Sequence, residues 1–152
     1  MLKTSIKYLC TSLAISLLMA CTDSNSYDKA VLHASYASEF YKAKNYTKVI
    51  DECSQAITYM EQGASSSFNV SFSSKINDAV VGIKAFCHTL KADSYSNIGV
   101  RDKAVEMIIM ANVEWEEFLK HYPDQMKMVD EKGDSGVSVR DVFNKLEVTP
   151  KF

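Results

Sequence analysis

The stretch KAVLHASYASEFYKAKNYTKVIDECSQAITYM, from Lys29 to Met60, decides the fold class. Apolar residues return in it every three or four positions: Ala30, Val31, Ala34, Ala37, Phe40 and Tyr41, then Val49, Ile50, Cys53, Ala56, Ile57 and Met60. That spacing gathers side chains on one side of an α-helix, whereas a half-buried strand alternates. Asn45 interrupts the pattern, so two helices are predicted, over about 27–44 and 47–61. Further along, Gln62 to Ser74 is rich in Ser and Gly and reads as a loop. Phe68, Val70 and Phe72 alternate inside it, but one strand has no partner here, so the loop is expected to tuck its aromatics onto the helices. A third helix is predicted over 75–97, with Ser74 as N-cap and Gly99 as its stop. A fourth covers 102–121 and ends before Pro123. Residues 124–152 read as a mobile, charged tail with one short helix at 139–146, capped by Ser138. Only 5 Gly and 2 Pro in 152 residues agree with an all-α chain.

The two helical pairs resemble each other at a shift of 55 residues. Lys29, Ala30, His33, Ala37, Lys48 and Ala56 recur as Lys84, Ala85, His88, Ala92, Lys103 and Ala111. The set Ala37, Phe40, Tyr46, Val49, Cys53 and Ala56 resembles a tetratricopeptide repeat, with Ala92, Tyr95, Arg101, Ala104, Ile108 and Ala111 as its counterpart. In that family small residues let two helices approach closely, and aromatics fill the gap to the next hairpin. The resemblance covers about residues 30–62 and 85–117. Val49 stands where a small residue is usual and Arg101 where an aromatic is usual. The copies are further apart than the family's period, and two repeats are fewer than such stacks usually hold. The expected architecture is therefore stacked hairpins of tetratricopeptide type, or a small helical bundle, with a short C-terminal helix.

The N-terminal end has a different character. Lys3 and Lys7 precede an apolar stretch from Tyr8 to Met19, and small Ala20 sits before Cys21. Positive flank, apolar centre and small residue at the cut are the layout of a secretory signal, here 1–20. The apolar stretch is short for a membrane span, which takes roughly 20 apolar residues. Leu18-Met19-Ala20-Cys21 resembles the lipobox of bacterial lipoproteins. The resemblance implies cleavage before Cys21, acyl chains (palmitate among them) on that residue, and residues 21–26 as a lipid-anchored tether. Thr22, where Asp resembles an inner-membrane retention signal, implies an outer-membrane lipoprotein facing the periplasm. All 19 acidic residues follow Cys21, against 15 basic ones, a formal net of −4 for that part. No basic stripe is left to neutralise nucleic-acid phosphates or to hold anionic lipid. Beyond Cys10 and Cys21, two cysteines remain, Cys53 and Cys87. In an oxidising compartment they form a disulfide, or they are two buried thiols packing as small apolar groups; spacing alone decides neither.

No catalytic pattern stands out: HExxH, GxSxG and a phosphate-cradling glycine loop are all missing from the sequence. His33 and His88 occupy equivalent positions and could face a metal together, but ordinary packing histidines are far commoner, and neither metal nor cofactor is expected. Trp115, among Glu114, Glu116 and Glu117, reads as a core residue with its indole N–H near the surface. In the tetratricopeptide family the first helix of each hairpin lines a concave groove for a partner segment. Carried over by position, that groove takes in Tyr41 and Lys42 from one copy and Phe86, Asp93, Ser96 and Asn97 from the other. The resulting expectation is a non-enzymatic, membrane-anchored scaffold or assembly factor that binds a protein or peptide client of the envelope. The other expectation is an inhibitor or immunity lipoprotein that plugs a toxin or hydrolase with the 62–74 loop.

Overall fold

The computed structural model describes residues 24–66, 73–133 and 135–152, without the side chains of residues 24–25, 64–66 and 73–79. The expected signal segment, Cys21, and Phe68, Val70 and Phe72 lie outside the described residues. The chain is all-α: α1 (Ser24–Lys42), α2 (Tyr46–Ser66), α3 (Ser73–Asn97) and α4 (Arg101–His121) are followed by a 3₁₀ turn (Pro123–Gln125) and short helices α5 (Met126–Asp130) and α6 (Val139–Lys145). Two long antiparallel hairpins, α1–α2 and α3–α4, carry most of the packing, and α3 also lies against α2, α1 and α6.

Both hairpins turn in the same way. After α1, the amide of Asn45 donates to Phe40 O and that of Lys44 to Tyr41 O, each at 2.9 Å. After α3, Val100 N donates to Tyr95 O at 2.9 Å and Gly99 N to Ser96 O at 3.2 Å. Each pair satisfies carbonyls at a helix end through a residue of left-handed backbone. That residue is Gly99 at φ 82° in the second turn, but Lys44 at φ 57° in the first.

Small side chains set the distance between helices. Ala34 and Ala37 of α1 are buried against Val49, Cys53 and Ala56 of α2, and Ala30 of α1 is fully buried as well. Ala85 and Ala92 of α3 take the same role against Ala104, Ile108 and Ala111 of α4. At the open ends of the hairpins a glycine receives a ring. A Cβ at Gly63 on α2 would stand 2.9 Å from the ring of Tyr27 on α1. A Cβ at Gly82 on α3 would stand 2.8 Å from the ring of Phe118 on α4. The glycine and the ring have exchanged helices between the two hairpins, at positions 55 apart.

Two core clusters share α3. One joins α1, α2 and the side of α3 that carries Cys87 and Leu90. The other joins the Ala85 and Ala92 side of α3 to α4 and the C-terminal residues Val129, Val139, Val142, Phe143 and Leu146. Phe86 and Val137 pack against both.

Four expectations need correction. Helix α3 begins at Ser73, so Ser74, expected as its N-cap, lies within the helix. Helix α1 begins at Ser24, so the tether expected over 21–26 is helical from Ser24 onward. Helix α2 runs to Ser66 rather than 61, because its buried stripe continues through Met60 to Gly63. The tail expected to be mobile over 124–152 is folded onto the second hairpin. Val129 and Phe143 are completely buried there, and Phe152 packs edge-on against Phe143 at 5.4 Å between centroids. Ser138 caps α6 as its spacing predicts, its hydroxyl accepting from Asp141 N at 3.0 Å.

Candidate functional site

Of the six residues assigned to the groove, the fold brings three together. Tyr41 lies near the C-terminal end of α1, and Asp93 and Asn97 lie one turn apart on α3. The Tyr41 hydroxyl donates a short hydrogen bond to Asp93 Oδ2, and Asn97 Nδ2 donates to the same oxygen at 2.6 Å. The other carboxylate oxygen accepts from Lys145 Nζ at 2.7 Å, and Lys145 also donates to Asn97 Oδ1 at 3.1 Å. Asp93 is only 4% exposed, so its charge is sustained by these donors rather than by water. Burial, and then the hydrogen bond to Asp93, raise the Tyr41 hydroxyl well above the ordinary tyrosine value of 10.0, because a phenolate would face a carboxylate in a poorly solvated site.

The remaining three residues do other work. Lys42 is exposed and pairs with Glu39 one turn back at 2.8 Å, away from the carboxylate. Phe86 is half-buried between the two core clusters. The carbonyl of Ser96 holds the hairpin turn by accepting from Gly99 N. Sequence reasoning missed Lys145 altogether. It sits in the last turn of α6, 52 residues from Asp93, and only the docking of the C-terminal helix brings them together.

The surface around Asp93 is thus partly covered by the chain itself. On the second hairpin, Lys145 closes over Asp93 and Asn97. Thr89 is buried beneath Trp115, whose indole N–H donates to Thr89 Oγ1 at 3.0 Å. That hydrogen bond corrects the expectation for Trp115: its N–H is satisfied inside the core, not near the surface. On the first hairpin, Ser35 and Lys42 stay exposed and Val31 and Ser38 half-exposed.

The histidines do not face each other. His33 Nδ1 lies 2.6 Å from Glu52 Oε2 within the first hairpin, its ring stacked on Tyr59 at 5.4 Å. His88 Nδ1 lies 2.6 Å from Glu114 Oε2 within the second. Each links the two helices of its own hairpin. Among the described residues no group of three or more His, Cys, Asp or Glu side chains is placed to hold a metal ion.

Cys53 and Cys87 stand side by side between the hairpins, and both are free, fully buried thiols. Burial, followed by hydrogen bonding to Cys87, pushes the Cys53 thiol well above its usual value, which makes it a poor nucleophile.

Among the described residues no helix is long and apolar enough to cross a membrane. Cys21, the expected lipid attachment residue, lies outside the described residues. Comparison with protein-family models, with curated proteins and with solved structures found no match.

Proposed function

We propose that the protein is a lipoprotein of the outer membrane, cut before Cys21, acylated on it and facing the periplasm, whose paired helical hairpins bind a protein client. The observation that carries the anchor is the order cationic flank, apolar stretch, Ala20, Cys21. Several acyl chains on one residue suffice for stable attachment without a spanning helix. A tetratricopeptide-like origin of the hairpins is supported by the identical turns at Lys44 and Gly99 and by the alanine pattern recurring 55 residues on. Such hairpins present helix faces to partners, and attachment to a membrane concentrates domain and client together, so modest affinity suffices. Tyr41, Asp93, Asn97 and Lys145, and the pairs His33–Glu52 and His88–Glu114, are engaged in holding helices together, which favours a scaffold or assembly factor over an enzyme.

A mass spectrum of the protein purified from its host's membranes tests the anchor, with Cys21→Ser as control. The expected result is an N-terminus at an acylated Cys21 that disappears in the variant. An unmodified chain, or one cut elsewhere, overturns the reading.

A further inference from the structure

We propose that the outer face of α4 docks an amphipathic helix of a partner protein, with basic side chains flanking that helix's apolar stripe. The proposal rests on the protein-binding reading above and moves its contact surface from the surroundings of Asp93, which the C-terminal segment partly covers, to the opposite side of the second hairpin.

Ile109, Met110 and Val113 are all exposed, Ile109 and Val113 at 53% each, and their spacing of one turn places them together on α4. The hairpin itself does not need them to be apolar. On α2, 55 residues earlier, the same positions hold Ser54, Gln55 and Thr58, and that hairpin closes with the same turn. An apolar cluster on one copy, where the other copy is polar, is a surface with a use beyond folding. Its fringe is predominantly acidic, four carboxylates against Lys120, which helical spacing places on the same side. Asp102 and Glu106 lie N-terminal to it and Glu116 and Glu117 C-terminal, all exposed on the same side of α4 by helical spacing. A ligand for such a face needs apolar side chains at the centre and cations at both ends, which a basic amphipathic helix supplies. An anionic membrane surface meets the wrong charge, and a second copy of this face adds more carboxylates than lysines.

The probe is a helical peptide of about 18 residues, with Leu on one face and Lys on the other, beside a twin carrying Glu in place of Lys. Binding to the full chain carrying Cys21→Ser, which takes no lipid, is followed by fluorescence anisotropy. The lysine peptide is expected to bind and the glutamate twin not to. The variant Ile109→Ser/Met110→Gln/Val113→Thr, which installs the residues of the first hairpin and so keeps a proven surface, is expected to weaken binding by about tenfold or more. Glu106→Gln/Glu116→Gln/Glu117→Gln, which leaves Asp102 alone among the four carboxylates, is expected to reduce the salt dependence. Lysine-peptide binding unchanged by the apolar variant overturns the proposal. So does a wild-type dimer that the apolar variant turns into monomer, which makes a second copy the occupant.

A photo-crosslinking residue placed in the host at Val113, or at exposed Ser35 on α1, separates this failure from failure of the wider reading. Crosslinks at Val113 to a basic amphipathic segment support the proposal. Crosslinks only at Ser35 leave protein binding standing and overturn the α4 assignment, and no crosslink at either position overturns both.

Discussion

At Asp93 a buried carboxylate is surrounded by donors from three parts of the chain: Tyr41, Asn97 and Lys145. Removing the carboxylate takes an acceptor from all three donors and leaves Tyr41 without its partner, while Asn97 keeps the backbone carbonyl of residue 93 and Lys145 keeps Asn97 Oδ1. Removing Lys145 leaves Asp93 with two of its three side-chain donors. Asp93→Ala is therefore expected to cost about 2–3 kcal/mol and Lys145→Met about 1 kcal/mol, since Lys145 is partly solvated. Urea denaturation of both variants checks the order. Tyr41 adds a pH dependence of definite sign. Its folded-state ionisation is raised above the ordinary value of 10.0, so its contribution is complete below that pH. Above it, the unfolded chain gains by ionising first, and stability falls as pH rises. Tyr41→Phe is expected to be less stable than the parent at neutral pH and to lose less stability between about pH 10 and 11. Ser94 offers the opposite case. Among the described residues its hydroxyl is the buried side-chain group without a hydrogen-bond partner. Ser94→Ala is expected to raise stability by about 1 kcal/mol, read as a higher urea midpoint at unchanged slope.

At the scale of the element, the two hairpin turns form a natural comparison. Lys44 holds left-handed backbone that costs an L-residue roughly 1–2 kcal/mol, and Gly99 holds its equivalent without strain. Lys44→Gly is expected to stabilise by about 0.5 kcal/mol, after the entropy that glycine adds to the unfolded chain, and Gly99→Lys to destabilise by about 1 kcal/mol. Thermal melts of the two variants should move in opposite directions. Much of this level was readable beforehand. Four long helices and a capped C-terminal one follow from apolar residues at three- and four-residue spacing, because helix hydrogen bonds and the burial of one face are local. Gly99 was legible as a stop for the same reason. Lys44 was not: nothing in a lysine announces positive φ. The Tyr27–Gly63 and Gly82–Phe118 approaches were equally silent, since each joins residues 36 apart.

For the molecule as a whole, the C-terminal segment is structural. Val129, Val142, Phe143 and Leu146 are each worth about 1.5–3 kcal/mol of burial, together about 6–12 kcal/mol before entropy is counted. That is comparable with the 5–15 kcal/mol that holds a typical domain, so a chain ending at residue 122 is expected to lose cooperative unfolding. Circular dichroism during a thermal scan checks this; a sharp transition in the shortened chain would contradict it. The packing of the first hairpin against α3 shields the thiols. Cys53 and Cys87 are expected to resist iodoacetamide in the native protein and to be labelled in urea, as read by peptide mass mapping.

Local pattern determined the helices, the turn at Gly99, the cap at Ser138 and the correspondence between the two pairs. Each rests on groups within one or two turns of each other, whose spacing is written along the chain. The proposed anchor at Cys21 is local in the same sense. Tertiary structure decided that the C-terminal helix closes over Asp93 and Asn97, that Cys53 meets Cys87, and that Ile109, Met110 and Val113 stay outside. Those outcomes depend on which faces α3 gives to its neighbours, the sum of many contacts between residues far apart in sequence. Helical spacing shows that a side is apolar; only the packing of every other apolar side shows which one is left uncovered.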